Sequence, residues 1–273
     1  LMQRLKRLLP AVQLLALLAF AVALARPQEG KEETRIRTEG IAIAMAIDRS
    51  GSMQALDCEV EGRLMDRLTA IKRVFREFVR GDGDRLPGRP DDLVGLVAFG
   101  GYADSKCPLT LDHGALLEIL DDLDIPFTSR DNEKKWPVFD SRLIRTRGDQ
   151  AEMATAIGEA VAVATDRLKE VDAKSRVMIV LTDGSETVAG RGDPDAPLPV
   201  EAAKVAASLG IRIYTIGFGS EGQEIAVAVD DGFGGVRPQP LPPGRGGYAV
   251  DADLLREVAA IGGGRFFRAT STE

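Results

Sequence analysis

Histidine and cysteine are almost missing from this chain: 273 residues hold one histidine, His113, and two cysteines, Cys58 and Cys107. Zinc and haem sites draw on those side chains, so neither is expected. A surplus of positive charge is missing as well. The formal net charge is −7 and the sequence pI is near 5.1. A nucleic-acid binder needs a basic face to neutralise phosphates, so the balance argues against such a partner. No repeat with a solenoid period (about 20–50 residues) is visible, and no phosphate-cradling P-loop occurs. What remains is ordinary. Hydrophobic content of 44% suits a packed core and 28% charge suits a solvated surface, enough for one large domain or two small ones.

The apolar residues are unevenly placed. Leu8 to Ala25, "LLPAVQLLALLAFAVALA", runs 18 residues without a charge. As a helix it would span about 27 Å, close to a bilayer core. Arg4, Lys6 and Arg7 precede it, which puts its start in the cytoplasm and everything after Arg26 outside. The expected organisation is a basic flank at 1–7, a transmembrane helix at 8–25, a polar linker at 26–40 and a domain from 41 to 273. A cleaved signal peptide is the competing reading, because Ala23-Leu24-Ala25 fits a small-x-small cleavage site. Either way the domain is exported. A chain that opens on Leu1 and stops at Glu273, just after a strand-like "GRFFRAT", reads as a fragment.

From residue 41 the pattern alternates. "IAIAMAI" (41–47) is apolar on both faces, as a central parallel strand must be. Leu64, Leu68, Ile71, Phe75, Phe78 and Val79 follow at helical period. Further strands are expected at 93–99, 107–111, 177–182, 211–218 and 265–269. Helices are expected near 113–123, 155–170, 199–209 and 251–261, the last with Asp251 as N-cap. The Cys107 segment carries a proline that suits a sheet edge. This is an α/β chain: a doubly wound, mostly parallel sheet with one antiparallel edge strand. Three stretches break the alternation, 126–150, 186–198 and 219–249. They are rich in Pro, Gly and charge and read as surface insertions.

Two of the strands end in aspartate, "AMAID" at Asp48 and "IVLTD" at Asp183. In an open α/β sheet ligands sit beyond the carboxyl ends of the strands. Ser50 and Ser52 follow Asp48 at alternate positions, and Thr155 lies at the start of a helix. Two carboxylates with three neutral hydroxyls suit a hard divalent cation, Mg²⁺ first, with Mn²⁺ or Ca²⁺ as substitutes. Their formal charge of −2 only balances the ion, so the ion can still attract an acidic ligand from outside.

Asp48-x-Ser50-x-Ser52, Thr155 and Asp183 in "LTDGS" make the chain resemble the von Willebrand factor A domain and its metal-ion-dependent adhesion site. The likeness covers about 41–269. "ALARPQ" (23–28), "GLVAFGGYADSKCPLTLD" (95–112) and "GGRFFRAT" (263–270) extend it towards the BatA-like, membrane-anchored proteins of bacterial aerotolerance operons. One departure stands out: where the family usually has Asp-Gly-Thr, this chain has Glu152-Met153-Ala154-Thr155. The resemblance implies a metal held by Asp48, Ser50, Ser52, Thr155 and Asp183, with a protein partner supplying an acidic residue to it. It implies further membrane segments at each end of the full protein and a place in the inner membrane, with the domain on the periplasmic or outer side. It also implies partners encoded nearby: other membrane proteins of the family, tetratricopeptide proteins and a MoxR-type AAA+ ATPase.

Other signals lead less far. "GFGSEG" (217–222) matches G-x-G-x-x-G, but an extended arm follows where a dinucleotide site needs a helix. A two-aspartate phosphatase needs a second acid where Ser50 stands. A hydrolase serine needs a base, and His113 sits beyond the edge strand. "RGD" recurs at 80–82, 147–149 and 191–193 and reads as solvated loop. The leading expectation is therefore a binding module and no enzyme. The alternatives are a Mg²⁺-dependent phosphohydrolase on the same crevice and a fold whose metal is purely structural. Cys58 and Cys107 could pair in an oxidising compartment if their Cα atoms lie within about 7 Å; two unpaired thiols is the other reading.

Overall fold

The computed structural model describes residues 10, 13–20, 40–60, 62–83, 86–129, 136–184, 186–189, 195–219, 225–230, 235–241 and 250–269. The chain divides into two units, Leu1–Ile36 and Arg37–Glu273. In the first, Pro10 and residues 13–20 are helical with exposed side chains. Among the described residues no helix is long and apolar enough to cross a membrane. The expected span at 8–25 therefore finds no support there; its remaining residues, and 26–39 of the linker, lie outside the described set.

The second unit carries the expected alternation. Its elements are β1 (Ala42–Asp48), β2 (Cys58–Val60), β3 (Arg63–Met65), α1 (Arg67–Arg80), β4 (Leu93–Phe99), β5 (Ala103–Thr110) and α2 (His113–Asp121). Then come β6 (Thr128–Ser129), β7 (Val138–Phe139), α3 (Arg147–Glu152), α4 (Ile157–Lys169), β8 (Arg176–Thr182), α5 (Pro199–Ser208) and β9 (Ile211–Phe218). Finally come β10 (Ala226–Asp230), β11 (Val236–Pro240), α6 (Ala252–Ile261) and β12 (Phe266–Ala269). Six strands form one sheet in the order β12-β9-β8-β1-β4-β5. All pairs are parallel except β4 with β5, which closes the edge as a hairpin.

β1 is buried along its whole length because both its faces are covered. Side chains alternate across a strand, and here the two faces differ in size. Ile43, Met45 and Ile47 pack into a core that includes Leu68, Ile71 and Phe75 of α1 and Leu116 and Leu120 of α2. Ala42, Ala44 and Ala46 face Ile157, Ala160, Val161 and Ala164 of α4. The alanine face lets α4 lie close to the sheet. Each large side chain buried in this way contributes roughly 1.5–3 kcal/mol.

α1 starts later than the periodicity suggests. Asp66 caps it, accepting from Thr69 N at 2.9 Å, and a cap fixes where a helix begins. Leu64 therefore belongs to the β2–β3 hairpin, not to the helix. It packs on a small separate core of Leu56, Trp136, Val138 and Ala228. Trp136 Nε1 donates to Leu64 O at 3.0 Å, and Leu56 N donates to Ala226 O at 2.8 Å. The insertions at 126–150 and 219–249 are thus more than solvated loops: their described parts pair into hairpins β6–β7 and β10–β11 and share an apolar centre. Cys58 and Cys107 are both buried free thiols, so no disulfide links them.

Candidate metal centre

β1 and β8 are parallel neighbours, with Ile47 opposite Leu181. Asp48 and Thr182 consequently end the two strands side by side. Residue parity sends both to the α4 face, and Thr182 Oγ1 donates to Asp48 Oδ2 at 2.5 Å. The other oxygen, Oδ1, accepts from Ser50 N at 2.7 Å, which tightens the turn. The Ser50 and Ser52 hydroxyls then lie 3.1 Å apart. Asp48 and Ser50 are buried, at 0% and 1% exposure.

Asp183 follows one residue after Thr182 and so belongs to the opposite parity, towards α1. Arg67, the first residue of α1, meets it there: Nη1 donates to Asp183 Oδ2 at 3.0 Å. The same guanidinium grips Asp57 with two bonds, Nε to Oδ1 at 2.9 Å and Nη2 to Oδ2 at 2.6 Å.

Thr155 reaches the same end of the sheet by a different route. Its loop is stitched to the loop after Asp183: Thr155 N donates to Thr187 Oγ1 at 2.8 Å, and Thr187 N donates to Thr155 O at 3.0 Å. Glu186 holds the helix that follows. Its Oε2 accepts from Ile157 N at 2.7 Å and Gly158 N at 3.3 Å, and its Oε1 from Val188 N and Ala189 N. A carboxylate at four amides, two of them at a helix N-terminus, satisfies orphan donors there. The loop also closes on the first strand's turn, since Gly51 N donates to Met153 O at 3.1 Å. A Cβ at Gly51 would meet the terminal methyl of Met153 at 2.5 Å, so that side chain would have to swing aside.

The structure therefore gathers Asp48, Ser50, Ser52 and Asp183 at adjoining strand ends and brings the buried Thr155 to the same rim on a loop bonded to both. Sequence reasoning missed Thr182, Arg67, Asp57, Glu186 and Thr187. Thr182 carried a signal, being the last residue of a strand whose parity matches Asp48. The others are joined only through the fold.

The electrostatics follow from burial. Burial first, and then the Asp183 carboxylate, push Asp48 up from 3.8 to about 7, against the pull of its Thr182 and Ser50 hydrogen bonds. Burial also works against charge on Arg67, but the Asp57 and Asp183 carboxylates outweigh it and raise its pKa. Burial, and then the Asp57 charge, push the Cys58 thiol to about 12, so it carries no thiolate. Among the described residues no group of three or more His, Cys, Asp or Glu could hold a metal. A cation here would depend on hydroxyl oxygens beside two acids. That donor set is hard and all-oxygen, and its two buried like charges are what a divalent cation neutralises. The residues present fit Mg²⁺ or a similar ion.

Residues 43–186 match the von Willebrand factor type A domain family, and 140–273 match a second description of the same domain. A UPF0353 protein of Nocardia farcinica is 28% identical over 264 residues, 96% of this chain and 67% of its own. The chain spans 61–67% of the length of the relatives it matches. Among solved structures, BatB of Bacteroides thetaiotaomicron superposes with a TM-score of 0.57 at 25% identity, over 85% of this chain and 92% of that one. An aerotolerance-related membrane protein of Bacteroides fragilis gives 0.52 at 24% identity, over 84% and 92%.

Proposed function

The chain belongs to the von Willebrand factor type A domain family, in company with its BatA/B-like proteins, and from that premise we propose that it is a metal-dependent adhesion module of the cell envelope. Asp48, Ser50, Ser52, Thr155 and Asp183 hold one Mg²⁺ at the exit of β1 and β8. When bound, the ion acts as a Lewis acid that attracts a carboxylate from a protein partner. The chain's own residues orient and insulate it. Thr182 and Ser50 N aim the Asp48 carboxylate, Arg67 balances Asp183, and the Thr187–Glu186 loop holds Thr155 in place. Ser50, Ser52 and Thr155 would add no charge to the shell, so a cation held there would still draw a carboxylate from outside.

The observation that carries this reading is the buried convergence of Asp48 with the Ser50–Ser52 hydroxyl pair, beside the end of β8. Burial and the neighbouring Asp183 carboxylate raise the proton affinity of Asp48, so its ionised form is costly to bury without a cation beside it. The activity is binding, with no turnover. The apolar 8–25 segment anchors the chain in the inner membrane with the domain on the periplasmic or outer side; its 18 uncharged residues behind Arg4, Lys6 and Arg7 are what support that placement. The partners are envelope proteins, among them other members of this family, tetratricopeptide proteins and a MoxR-type AAA+ ATPase, and the insertions at 126–150 and 186–198 select among them.

Calorimetry with Mg²⁺ and Mn²⁺ on wild type and Asp183→Ala tests the site: binding should weaken sharply in the variant. A crosslinked pull-down from membranes, run in Mg²⁺ and in EDTA, tests adhesion. Equal capture in both would overturn it.

A further inference from the structure

Arg67 is a full positive charge sealed beside a site meant for a cation. Its side chain is 0% exposed, and the side chains of its two partners, Asp57 and Asp183, are 1% and 0% exposed. It opens α1, where the positive end of the helix dipole disfavours a cation, and the capping acid, Asp66, is engaged by Thr69 N and Oγ1. Helix formation therefore gives no reason for arginine at this position.

The surroundings are shaped to hold it. The two-bond grip of Asp57 fixes the plane of the guanidinium, and that plane directs Nη1 to Asp183. A lysine, with one ammonium and no fork, could not serve both acids in this way. Arg67 N is anchored to Ala55 O at 3.1 Å. Gly219, at φ +136°, leaves the space: a Cβ there would lie 2.6 Å from Nη2.

Asp183 is thus shared. One of its oxygens already answers to a fixed cation while the residue stands in the proposed metal shell. We propose that Arg67 is the resident counter-cation of the metal centre: it balances Asp183 when no divalent ion is bound, and so lowers the site's affinity for that ion while letting the domain fold without it. This rests on the metal-binding reading above. Asp57 sets how much of the arginine's charge reaches the centre. Held by Asp57, Arg67 is half neutralised; without Asp57 its whole charge falls on Asp183. Arg67 is a positioning residue and need not touch the ion.

The pair makes predictions of opposite sign, which a merely structural ion pair does not. In Mg²⁺ calorimetry, Arg67→Met should bind about tenfold more tightly than wild type or better, because a unit charge a few ångströms away is gone. Asp57→Asn should bind about tenfold more weakly. In thermal unfolding, Arg67→Met should lose stability in EDTA and regain more of it on adding Mg²⁺ than wild type does. If Arg67→Met fails to fold without metal, refolding in Mg²⁺ is the readout: recovery supports the proposal and failure overturns it. Arg67→Lys should fall between Arg67→Met and wild type in affinity. Unchanged or weaker binding by Arg67→Met, or tighter binding by Asp57→Asn, overturns the counter-cation role while the metal site stands. Absence of binding by wild type removes the metal reading itself, and this inference with it.

Discussion

The exits of β1 and β8 lie side by side and each carries an aspartate, Asp48 and Asp183, yet the two are held in opposite ways. Asp48 is surrounded by neutral donors, a threonine hydroxyl and a backbone amide. Asp183 leans on a buried arginine. Neutral hydrogen bonds do not offset the cost of burying a carboxylate next to another, so Asp48 is pushed up to about 7. A guanidinium does offset it. Both acids stand in the proposed metal shell, but Asp48 reaches it without a cationic partner while Asp183 is also tied into the frame by Arg67, a difference that a motif reading does not see.

The sharpest way to break this comparison is to remove Asp48 itself and, separately, the acid that holds Asp183's arginine. Asp48→Ala should abolish Mg²⁺ binding in calorimetry, yet leave metal-free stability unchanged or higher, since a poorly compensated buried acid is gone. A substantial loss of stability would place Asp48 in the frame as well. Asp57→Ala should do the reverse to the fold. It takes from the buried Arg67 the carboxylate that grips it with two bonds, and breaking a buried pair costs about 3 kcal/mol. Urea unfolding in EDTA measures it, and an effect below about 1 kcal/mol would show that the trio is not structural.

Proton linkage gives a finer comparison. A carboxyl whose folded pKa is raised binds more protons folded than unfolded, so it lowers stability as pH rises from about 3.8 towards about 7. In EDTA, the Asp48→Asn protein should lack that decline, and Mg²⁺ should reverse it in wild type. Urea midpoints across that range decide the matter, and equal slopes for the two proteins would contradict the cause given for Asp48. The smallest effect concerns the third loop. Glu186→Gln keeps the shape but removes the charge at the α4 N-terminus, and should cost about 1 kcal/mol. Metal affinity should fall only a few-fold, because Thr155 is still held through Thr187. A loss as large as that of Asp48→Ala would make Glu186 part of the centre.

Much of this was legible beforehand. β1, β4, β8 and β9 were predicted to within a residue: β1 and β4 are covered on both faces and read as apolar runs, and β8 and β9 keep apolar residues at most positions despite the exposed Arg212 in β9. Asp48, Ser50 and Ser52 were visible as a local pattern at a strand exit. Leu64 misled, since its spacing from Leu68 is helical while Asp66 between them ends the hairpin and caps the helix. The hairpins of two to five residues inside the insertions carry too little pattern to be seen. The transmembrane expectation at 8–25 gained no support from the described residues.

By itself the sequence determined the alternating α/β order, the doubly buried central strand and the acid-and-hydroxyl set at its end. Those follow from periodicity and from neighbours in the chain. Only the tertiary structure decided which charges meet. Arg67 and Asp183 are 116 residues apart, Thr182 and Asp48 are 134 apart, and Trp136 and Leu64 are 72 apart. A hydrogen bond or ion pair acts over a few ångströms, and the order of strands in the sheet, not their order in the chain, sets which side chains come that close.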